Sequence, residues 1–346
     1  MPYRVLIVDD SPFYRLRLAQ VVSASDQLQR VGSAGDGREA IRLIGERHPD
    51  LIILDLEMPG LDGMSVLRWT MRYAPVPVII CSGRGTSETV FQALEIGAVD
   101  FVAKPELRHA VRSEQFATNL RQRMEAAAQA RLPSAKVRRD SQAIVAAAQL
   151  ARTHLADTRI VGIVGSAGGP TAVSRIISAL PASFRTPVII ALHMPAGFTR
   201  SFAERLKRIG RVEAGEAKDG EKIVASRIYV APGGWQTTVA LDKEGDLILR
   251  VKHARTEDRF APSADLLLQS LAEACGEKAL GVVVTGMGQD GVKGAHAIRA
   301  RGGTVIVESK ESALIWGMPR AVAEAGLASA ELDLLSIVTT LSLLCK

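Results

Sequence analysis

Residues 51–63 read Leu-Ile-Ile-Leu-Asp-Leu-Glu-Met-Pro-Gly-Leu-Asp-Gly, an apolar run that ends directly in a charged side chain, Asp55. Four consecutive apolar residues are typical of a strand buried on both faces of a parallel sheet. In such sheets, binding and catalytic groups gather where the strands end. This stretch therefore predicts an α/β fold that carries chemistry at residue 55.

The same pattern continues outward in both directions along the chain. Short apolar runs alternate with segments of helical periodicity, which predicts parallel sheets covered by helices on both faces. The first block has runs at Val5–Val8, Leu51–Leu54, Val78–Cys81 and Val99–Val102, with a weaker run near Leu28–Ser33 as its fifth strand. The second block has runs at Ile160–Val164, Pro187–Leu192, Ile228–Val230, Leu247–Val251, Leu280–Val284 and Thr304–Val307.

The second block also predicts one antiparallel excursion and several helices. Residues Leu241–Val251, centred on Lys243-Glu244-Gly245-Asp246, have the composition of a hairpin. Helical patterns cover Ala261–Ala274 and Val292–Ala300. We therefore expect two α/β domains, the second with a mainly parallel sheet and an antiparallel hairpin.

The stretch between the blocks, from about Glu106 to Asp157, is rich in alanine, glutamine and arginine. We interpret it as a solvated helix followed by a linker. The alternative is a basic segment that docks on an acidic receptor or on the partner domain. The predicted boundaries are residues 1–120 for the first domain, 121–157 for the linker and 158–346 for the second domain.

Composition narrows the class of protein. The 346 residues are 47% hydrophobic and 23% charged, which is typical of soluble globular domains. No run is long enough to span a membrane, and the start has no signal-peptide layout, so we expect a cytoplasmic protein without membrane insertion. The residues behind the net charge of +6 are not clustered, and the sequence contains no recognisable nucleic-acid-binding motif, so we expect no nucleic-acid partner.

The first block gathers five polar side chains at the ends of its predicted strands: Asp9, Asp10, Asp55, Ser82 and Lys104. Three carboxylates at close range repel one another unless a cation joins them. Oxygen ligands of this kind suit Mg²⁺, and the carboxylate of Asp55 could then act as a nucleophile towards a phosphoryl group. Taken singly, the Asp9-Asp10 pair could cap the first helix, and Lys104 could be an ordinary surface lysine.

Residues 1 to about 120 resemble a response-regulator receiver domain. The resemblance is carried by the Asp9-Asp10 pair, by Asp55 with Met58-Pro59-Gly60 and Asp62-Gly63, and by Lys104-Pro105. It implies a flavodoxin-like, doubly wound, five-stranded parallel sheet with Asp55 as the phosphoacceptor. It further implies Mg²⁺ held by Asp10, Asp55 and the Glu57 carbonyl with Asp9 in support, and contacts from Ser82 and Lys104 to the phosphoryl group.

The second block places Ser166, His193 and Asp290 beyond three of its predicted strands. A hydroxyl, an imidazole and a carboxylate that share one crevice support acyl transfer. Amides at the start of the helix after Ser166 and in the loop Gly286-Met287-Gly288 could stabilise an oxyanion. Singly, Ser166 could be a helix cap or part of a phosphate-binding loop, His193 a packed loop residue, and Asp290 the cap of Val292–Ala300.

Two signatures of common hydrolases do not fit. A nucleophile elbow needs glycine two residues before the serine, where this chain has Val164, and the order serine–histidine–aspartate differs from that of α/β-hydrolases. Residues from about 158 to 346 instead resemble the catalytic domain of chemotaxis protein-glutamate methylesterases, the CheB family. The matching segments are Leu192–Thr199, Val230–Gly234, Pro262–Asp265, Thr285–Gly291 and Trp316–Pro319.

This resemblance implies a two-component signalling hydrolase that removes methyl groups from glutamate methyl esters on methyl-accepting chemoreceptors and releases methanol. Some members also act as protein-glutamine glutaminases. It implies Ser166 as nucleophile, His193 as general base, Asp290 as its orienting partner, and Met287 beside the oxyanion site, with no cofactor in the hydrolase site. A CheA-type histidine kinase would donate the phosphoryl group.

The chain departs from the family at two positions. Ala167 stands where threonine commonly follows the nucleophile, and Gln236 stands where the family often has histidine after the Pro-Gly-Gly turn.

We expect the unphosphorylated receiver to cover the hydrolase crevice and phosphorylation of Asp55 to expose it. The alternatives are a phosphorylation-dependent binding protein that has lost catalysis, and a DNA-binding regulator.

Overall fold

The structure is a computed structural model that describes residues 1–83, 87–105, 114–130, 132, 155 and 157–344. The chain divides into two compact units, Met1–Leu132 and Pro133–Lys346. A helix over Glu114–Ala127 crosses the boundary predicted at residue 120, and most of the predicted linker lies outside the described residues. Among the described helices, none has the length and hydropathy needed to cross a membrane.

The first unit is a doubly wound α/β domain, as predicted. Its five strands pair in parallel in the order β2-β1-β3-β4-β5. Along the chain its elements are β1 (Tyr3–Val8), α1 (Pro12–Ser23), β2 (Leu28–Ala34), α2 (Gly37–Arg47), β3 (Leu51–Leu54), α3 (Gly63–Tyr73), β4 (Val78–Ser82), α4 (Ser87–Ile96), β5 (Asp100–Ala103) and α5 (Glu114–Ala127).

Burial and capping explain why this unit folds as it does. All four residues of β3 are fully buried, which the unbroken apolar run predicted. The carboxylates of Asp36 and Asp62 cap the amide ends of α2 and α3. A side chain at Gly63 would overlap the carbonyl oxygen of Asp55, so α3 begins packed against the loop that follows β3.

The second unit has a seven-stranded parallel sheet in the order β14-β13-β12-β6-β7-β9-β8 and a separate antiparallel pair, β10-β11. Its elements up to the hairpin are β6 (Ile160–Gly165), α6 (Gly169–Ala179), β7 (Val188–Leu192), α7 (Phe198–Ile209), β8 (Glu213–Glu216), β9 (Arg227–Val230), β10 (Trp235–Leu241) and β11 (Leu247–His253). They continue with α8 (Ala264–Cys275), β12 (Ala279–Val283), α9 (Val292–Ala300), β13 (Thr304–Glu308), α10 (Met318–Glu324), β14 (Ala330–Leu332) and α11 (Leu334–Ser342).

The predicted mainly parallel sheet and hairpin are confirmed, although the hairpin begins at Trp235, six residues before the predicted Leu241. The sheet also has two additional strands. The edge strands β8 and β14 had not been predicted, because each is short and carries glutamate at solvent-facing positions. Helix α8 begins at Ala264, three residues after the predicted start, since Pro262 and Ser263 precede it and the Ser263 hydroxyl caps it.

The register of this sheet determines where the residues after β6 and β7 leave it. Strand β6 lies between β12 and β7, with Gly165 opposite Leu192 and Val164 opposite Val283. The residues that follow these strands therefore leave the sheet at one edge. In an open parallel sheet this carboxyl edge is where ligands bind.

Candidate active site and acidic cluster

Ser166 lies in a tight turn between β6 and α6. Its side chain is buried, its amide donates to the Thr285 carbonyl at 3.0 Å, and its carbonyl accepts from the Gly169 amide at 2.8 Å. Gly168, with φ +76°, occupies the N-cap position of α6 without a side-chain cap, so Ser166 does not serve as the helix cap. A Cβ on Gly286 would lie 2.8 Å from the Ser166 nitrogen, so the loop after β12 runs against the serine.

His193 leaves β7 in register with Ser166. Its amide donates to the Gly165 carbonyl at 3.2 Å, directly beside the serine. Its Nε2 lies 2.8 Å from Oδ2 of Asp290, and only 7% of its side chain is exposed. The imidazole also stacks on the ring of Phe260, with 4.2 Å between centroids and 4° between planes. The imidazole plane is thus held by a carboxylate at its edge and by an aromatic ring on its face.

Asp290 lies seven residues beyond the end of β12, in the loop rather than at the strand end. Its Oδ2 accepts from the Ala264 amide at 2.7 Å, and its Oδ1 accepts from the Asp265 amide at 3.0 Å and the Ser263 hydroxyl at 3.1 Å. Asp290 therefore receives amides from the start of α8, whereas Gly291 is the N-cap of α9. Its possible role as the cap of Val292–Ala300 is not what the structure shows.

The surroundings of Asp290 keep it ionised. Burial alone would raise its pKa. The hydrogen bond and charge of His193 and the amides of Asp265 and Ala264 lower the pKa by more than burial raises it, so the net pKa falls below its ordinary value. A carboxylate in this state accepts from the imidazole and stabilises the imidazolium form. The structure thus brings an ionised carboxylate and an imidazole together, next to a buried serine.

A second layer of polar groups supports the serine turn and was not found from the sequence. Glu308, 1% exposed at the end of β13, accepts from the Thr285 amide at 2.7 Å and from the Ser312 hydroxyl at 2.8 Å. The Thr285 hydroxyl in turn donates to the Ala167 carbonyl at 3.0 Å. An apolar strand that ends in a glutamate was the available signal, and it repeats the pattern that identified Asp55.

Ala167 and Gln236, the two residues that depart from the family pattern, each have specific contacts near the serine and the histidine. Ala167 is buried, and its carbonyl is bound by Thr285. Gln236 donates through Nε2 to the Phe260 carbonyl at 2.7 Å and to the Asp258 carboxylate at 3.1 Å, and its Oε1 accepts from the Ser263 amide at 2.9 Å. This glutamine therefore fixes the segment that carries Phe260 and Ser263, the contacts of the imidazole and the acid.

Met287 follows Gly286 in the loop that touches Ser166 and is half-buried. A side chain at Gly317 would come within 3.0 Å of the Met287 Cα, and the Gly317 and Met318 amides both donate to the Gly286 carbonyl. The loop that bears Met287 is therefore held from behind by the segment Trp316–Pro319.

In the first unit, the predicted acidic cluster is assembled. One ligand oxygen from each of Asp9, Asp10 and Asp55 lies within 4.8 Å of the others. The Lys104 ammonium lies 2.6 Å from Oδ2 of Asp9 and also contacts Asp55. Three close carboxylate oxygens fit a hard divalent cation, and the lysine already compensates part of their charge.

Burial and charge act against each other in this cluster. Burial raises the pKa of Asp9, and the opposing effect of Lys104 does not cancel it. Burial would lower the pKa of Lys104, but the hydrogen bonds and charges of Asp55 and Asp9 raise it above its ordinary value. Asp9 accepts from the Ser11 amide at 2.9 Å, while the N-cap of α1 is Ser11 without a side-chain cap, so the aspartate pair is not a simple helix cap.

The remaining residues predicted for this site lie around Asp55. Ser82 ends β4, is buried, and accepts through its carbonyl from the Lys104 amide at 3.0 Å. The Glu57 amide donates to Oδ1 of Asp55 at 3.2 Å. Tyr14, which the sequence did not single out, donates to the Pro105 carbonyl at 2.5 Å, and its ring lies 4.6 Å from the Lys104 ammonium. Tyr14 thus holds the segment that positions the lysine.

Known families and relatives agree with this architecture. Residues 161–341 match the family described as CheB methylesterase, and residues 5–114 match the response regulator receiver domain. A relative from Geobacter sulfurreducens, named protein-glutamate methylesterase/protein-glutamine glutaminase 3, is 41% identical over 92% of this chain and 90% of its own. A relative of the same name, numbered 2, from Pseudomonas aeruginosa is 38% identical over 99% of this chain and 96% of its own.

Among solved structures, the CheB methylesterase catalytic domain of Thermotoga maritima is 36% identical, with a TM-score of 0.51, and the match covers 53% of this chain and 97% of that domain. The second unit therefore shares both fold and sequence with that catalytic domain. The resemblance drawn from the motifs is confirmed: the chain belongs to the CheB methylesterase family and carries a response-regulator receiver domain ahead of the catalytic domain.

Proposed function

We propose that this chain is a phosphorylation-regulated serine hydrolase that removes methyl groups from glutamate methyl esters on methyl-accepting chemoreceptors. Glutamine side chains, which differ from the ester only in the leaving group, are the second substrate class. The observation that carries this proposal is the 2.8 Å contact between His193 and Asp290 beside the buried turn of Ser166.

In the proposed reaction, the Ser166 oxygen attacks the γ-carbonyl carbon and its proton passes to the imidazole of His193. Because Nε2 faces Asp290, the proton is taken by Nδ1. The C–O bond to the methyl group's oxygen then breaks, and methanol leaves with the proton from the imidazolium. Water then attacks the acyl-serine while the imidazole takes its proton. The imidazolium returns that proton to the Ser166 oxygen as the acyl bond breaks, which frees the glutamate carboxylate and restores Ser166. With glutamine, ammonia leaves in place of methanol.

The backbone amides of Met287 and Gly288 are our candidates for stabilising the oxyanion, with the Met287 side chain beside it, because the Gly286 amide already donates to the Ile315 carbonyl at 3.0 Å. This loop contacts Ser166 and is held by the Trp316–Pro319 segment, so its amides are fixed before substrate arrives. Donors fixed in advance stabilise developing charge without reorganisation during the reaction.

In the receiver, we assign Asp55 as the phosphoacceptor and Lys104 and Ser82 as contacts of the phosphoryl group. Asp10, Asp55 and the Glu57 carbonyl would hold Mg²⁺, with Asp9 in support, and the bound ion would offset charge on the phosphoryl oxygens. Lys104 contacts both Asp9 and Asp55, so phosphorylation must rearrange its contacts. A CheA-type histidine kinase is the proposed donor, and chemoreceptors are the proposed substrates.

The test is methanol release from methylated receptor membranes. We expect Ser166→Ala to lower the rate by at least ~10³-fold, as for other serine nucleophiles. Ser178→Ala, an exposed serine on α6, is the matched control and should leave the rate unchanged. Equal release by wild type and Ser166→Ala would refute the nucleophile, and no release by wild type would favour a binding protein.

Regulation has its own measurement. We expect phosphorylated full chain and residues 158–346 alone to exceed the rate of the unphosphorylated full chain, and Asp55→Asn to remove the response to phosphodonor. A fragment no faster than the unphosphorylated chain would contradict the inhibitory role of the receiver.

A further inference from the structure

The ring of Phe260 links the imidazole of His193 to an exposed arginine. Its centroid lies 4.2 Å from the imidazole centroid and 5.2 Å from the guanidinium carbon of Arg259. Since both distances end at one centroid, the guanidinium carbon is no farther from the imidazole than their sum. That upper limit slightly exceeds the Debye length of ~8 Å at physiological ionic strength, so the positive charge acts on groups bound beside Phe260 and is partly screened at the imidazole itself.

The backbone around Arg259 is fixed, although its side chain is exposed. The Phe260 carbonyl and the Asp258 carboxylate both accept from Nε2 of Gln236, which is 9% exposed. The Asp258 carboxylate also accepts from the Arg255 amide at 3.0 Å. Arg259 thus stands between two residues that one buried side chain holds in place.

The charge of Arg259 is available to a ligand. Of the two neighbouring acids, Asp258 is engaged by Gln236 and the Arg255 amide, and Glu257 lies 3.7 Å from the Arg255 guanidinium. Across the part of the chain that the structure describes, no carboxylate oxygen lies within 4.0 Å of the Arg259 guanidinium. An exposed guanidinium that forms no ion pair with a described carboxylate favours a partner that supplies one.

We infer that Arg259 is a specificity-determining residue that selects substrate segments with carboxylates beside the reacting glutamate side chain. This inference rests on the proposed function. Each turnover converts a neutral ester or amide into a carboxylate, so a segment that carries several such side chains becomes more acidic as it is processed. Arg259 then strengthens binding of the same segment for the next site, and the partner is an acidic peptide segment of the substrate protein.

The test uses the full chain and two synthetic peptides, each with one glutamate γ-methyl ester, flanked by glutamates in one and by alanines in the other. We expect Arg259→Gln to lower kcat/KM for the acidic peptide about fivefold, the effect of one partly exposed ion pair, through KM. The alanine peptide should change less than ~2-fold, since it offers no carboxylate to pair. Arg259→Lys should retain most of the preference, and added salt should weaken the preference in wild type and Arg259→Lys but have no effect on it in Arg259→Gln.

Arg255→Gln is the matched control, because Arg255 is an exposed arginine of the same loop that pairs with Glu257 and is not placed over Phe260. An equal loss in Arg255→Gln, or equal losses on both peptides in Arg259→Gln, would overturn the inference. Failure of the proposed function looks different: wild type would then match Ser166→Ala on the alanine peptide, and the inference would fall with it.

Discussion

Asp265 and Asp290 accept hydrogen bonds in a reciprocal arrangement: each carboxylate binds backbone amides at the start of the helix next to the other aspartate. Asp290, just before α9, accepts from the amides of Ala264 and Asp265 at the start of α8. Asp265, in the first turn of α8, accepts through Oδ1 from Gly291 at 2.9 Å and Gly294 at 2.8 Å, at the start of α9. Helix N-termini favour negative charge, so the start of α8 favours the ionised form of Asp290 and holds its carboxylate in place.

Replacing Asp265 should therefore change the pH dependence of hydrolysis. Burial and the charge of Asp290 raise the pKa of Asp265 above its ordinary value, while the amides of α9 oppose the shift. Asp265→Asn keeps an acceptor oxygen but removes a charge that favours the imidazolium, so we expect the acid limb of the pH–rate profile to move to lower pH. A merely structural role would lower the rate without moving the limb. Glu273→Gln, an exposed charge loss on α8, is the control.

Phe260 should affect turnover rather than substrate binding. Its parallel stack holds the plane of His193, and aromatic pairs contribute about 0.5–1.5 kcal/mol beyond burial. We expect Phe260→Leu to lower kcat about three- to tenfold for a small neutral ester and Phe260→Tyr to keep most of the rate. A loss in Phe260→Tyr as large as in Phe260→Leu would show that ring stacking is not the cause.

Glu308 predicts a pH dependence of stability. Burial raises its pKa above the ordinary value of 4.5, so the folded chain keeps a proton that the unfolded chain has released. Stability therefore falls as the pH rises from about 4.5 through the folded pKa. Glu308→Gln carries no proton in either state and should lose this slope, gaining stability relative to wild type across that window. Urea midpoints between pH 4 and 8 measure the difference, and parallel curves would contradict it.

A companion variant separates charge from hydrogen bonding at the same position. Glu308→Ala leaves the Thr285 amide without its acceptor, which costs about 1–3 kcal/mol for a buried donor. Because the Thr285 carbonyl holds the Ser166 amide, we also expect Glu308→Ala, but not Glu308→Gln, to slow methanol release.

Metal binding should depend on Asp10, the exposed member of the acidic cluster. We expect Asp10→Asn to weaken Mg²⁺ binding at least ~10-fold, since it removes a charged ligand from a site of few ligands. Calorimetric titration of the full chain with Mg²⁺ measures this, and chelation should abolish labelling of Asp55 by a small phosphodonor. Asp26→Asn, an exposed aspartate outside the cluster, should bind Mg²⁺ as wild type does.

Arg123 should anchor α5 to the receiver sheet. Its guanidinium pairs with the buried Asp100 at the start of β5, and its Nε donates to Oδ1 of Asn119 at 2.8 Å. Arg123→Met leaves a buried carboxylate without its cation, which costs about 3–5 kcal/mol. The double variant with Asp100→Asn should recover most of that loss in chemical unfolding. A double variant as unstable as Arg123→Met would contradict the pairing.

Strand ends explain what the sequence could predict. Ser166 and His193 directly follow two neighbouring apolar strands of the second sheet, so their convergence at its carboxyl edge follows from pattern alone, and Asp55 directly follows an apolar strand of the first sheet in the same way. Residue pairing across loops does not follow in this way. Phe260 and Asp265 reach His193 and Asp290 through the course of the 254–263 segment and the start of α8, which no local period encodes.

Edge strands were missed for a related reason. Strand β8 reads Glu213-Ala-Gly-Glu216, and its residues are exposed or half-buried. Strand β14 has three residues, of which only Leu332 is buried. A strand with one covered face at a sheet edge needs little apolar sequence, so its identity comes from the neighbour with which it pairs.

Gly63 and Gly60, both near Asp55, restrict substitution for different physical reasons. At Gly63 the obstacle is shape, because any Cβ would meet the Asp55 carbonyl and the Leu56 backbone. At Gly60 the space is open and the obstacle is handedness, since φ is +77°. Asparagine, which tolerates left-handed backbone, can therefore replace Gly60 but not Gly63. The chain around Asp55 can diverge at residue 60, whereas residue 63 is closed to every side chain.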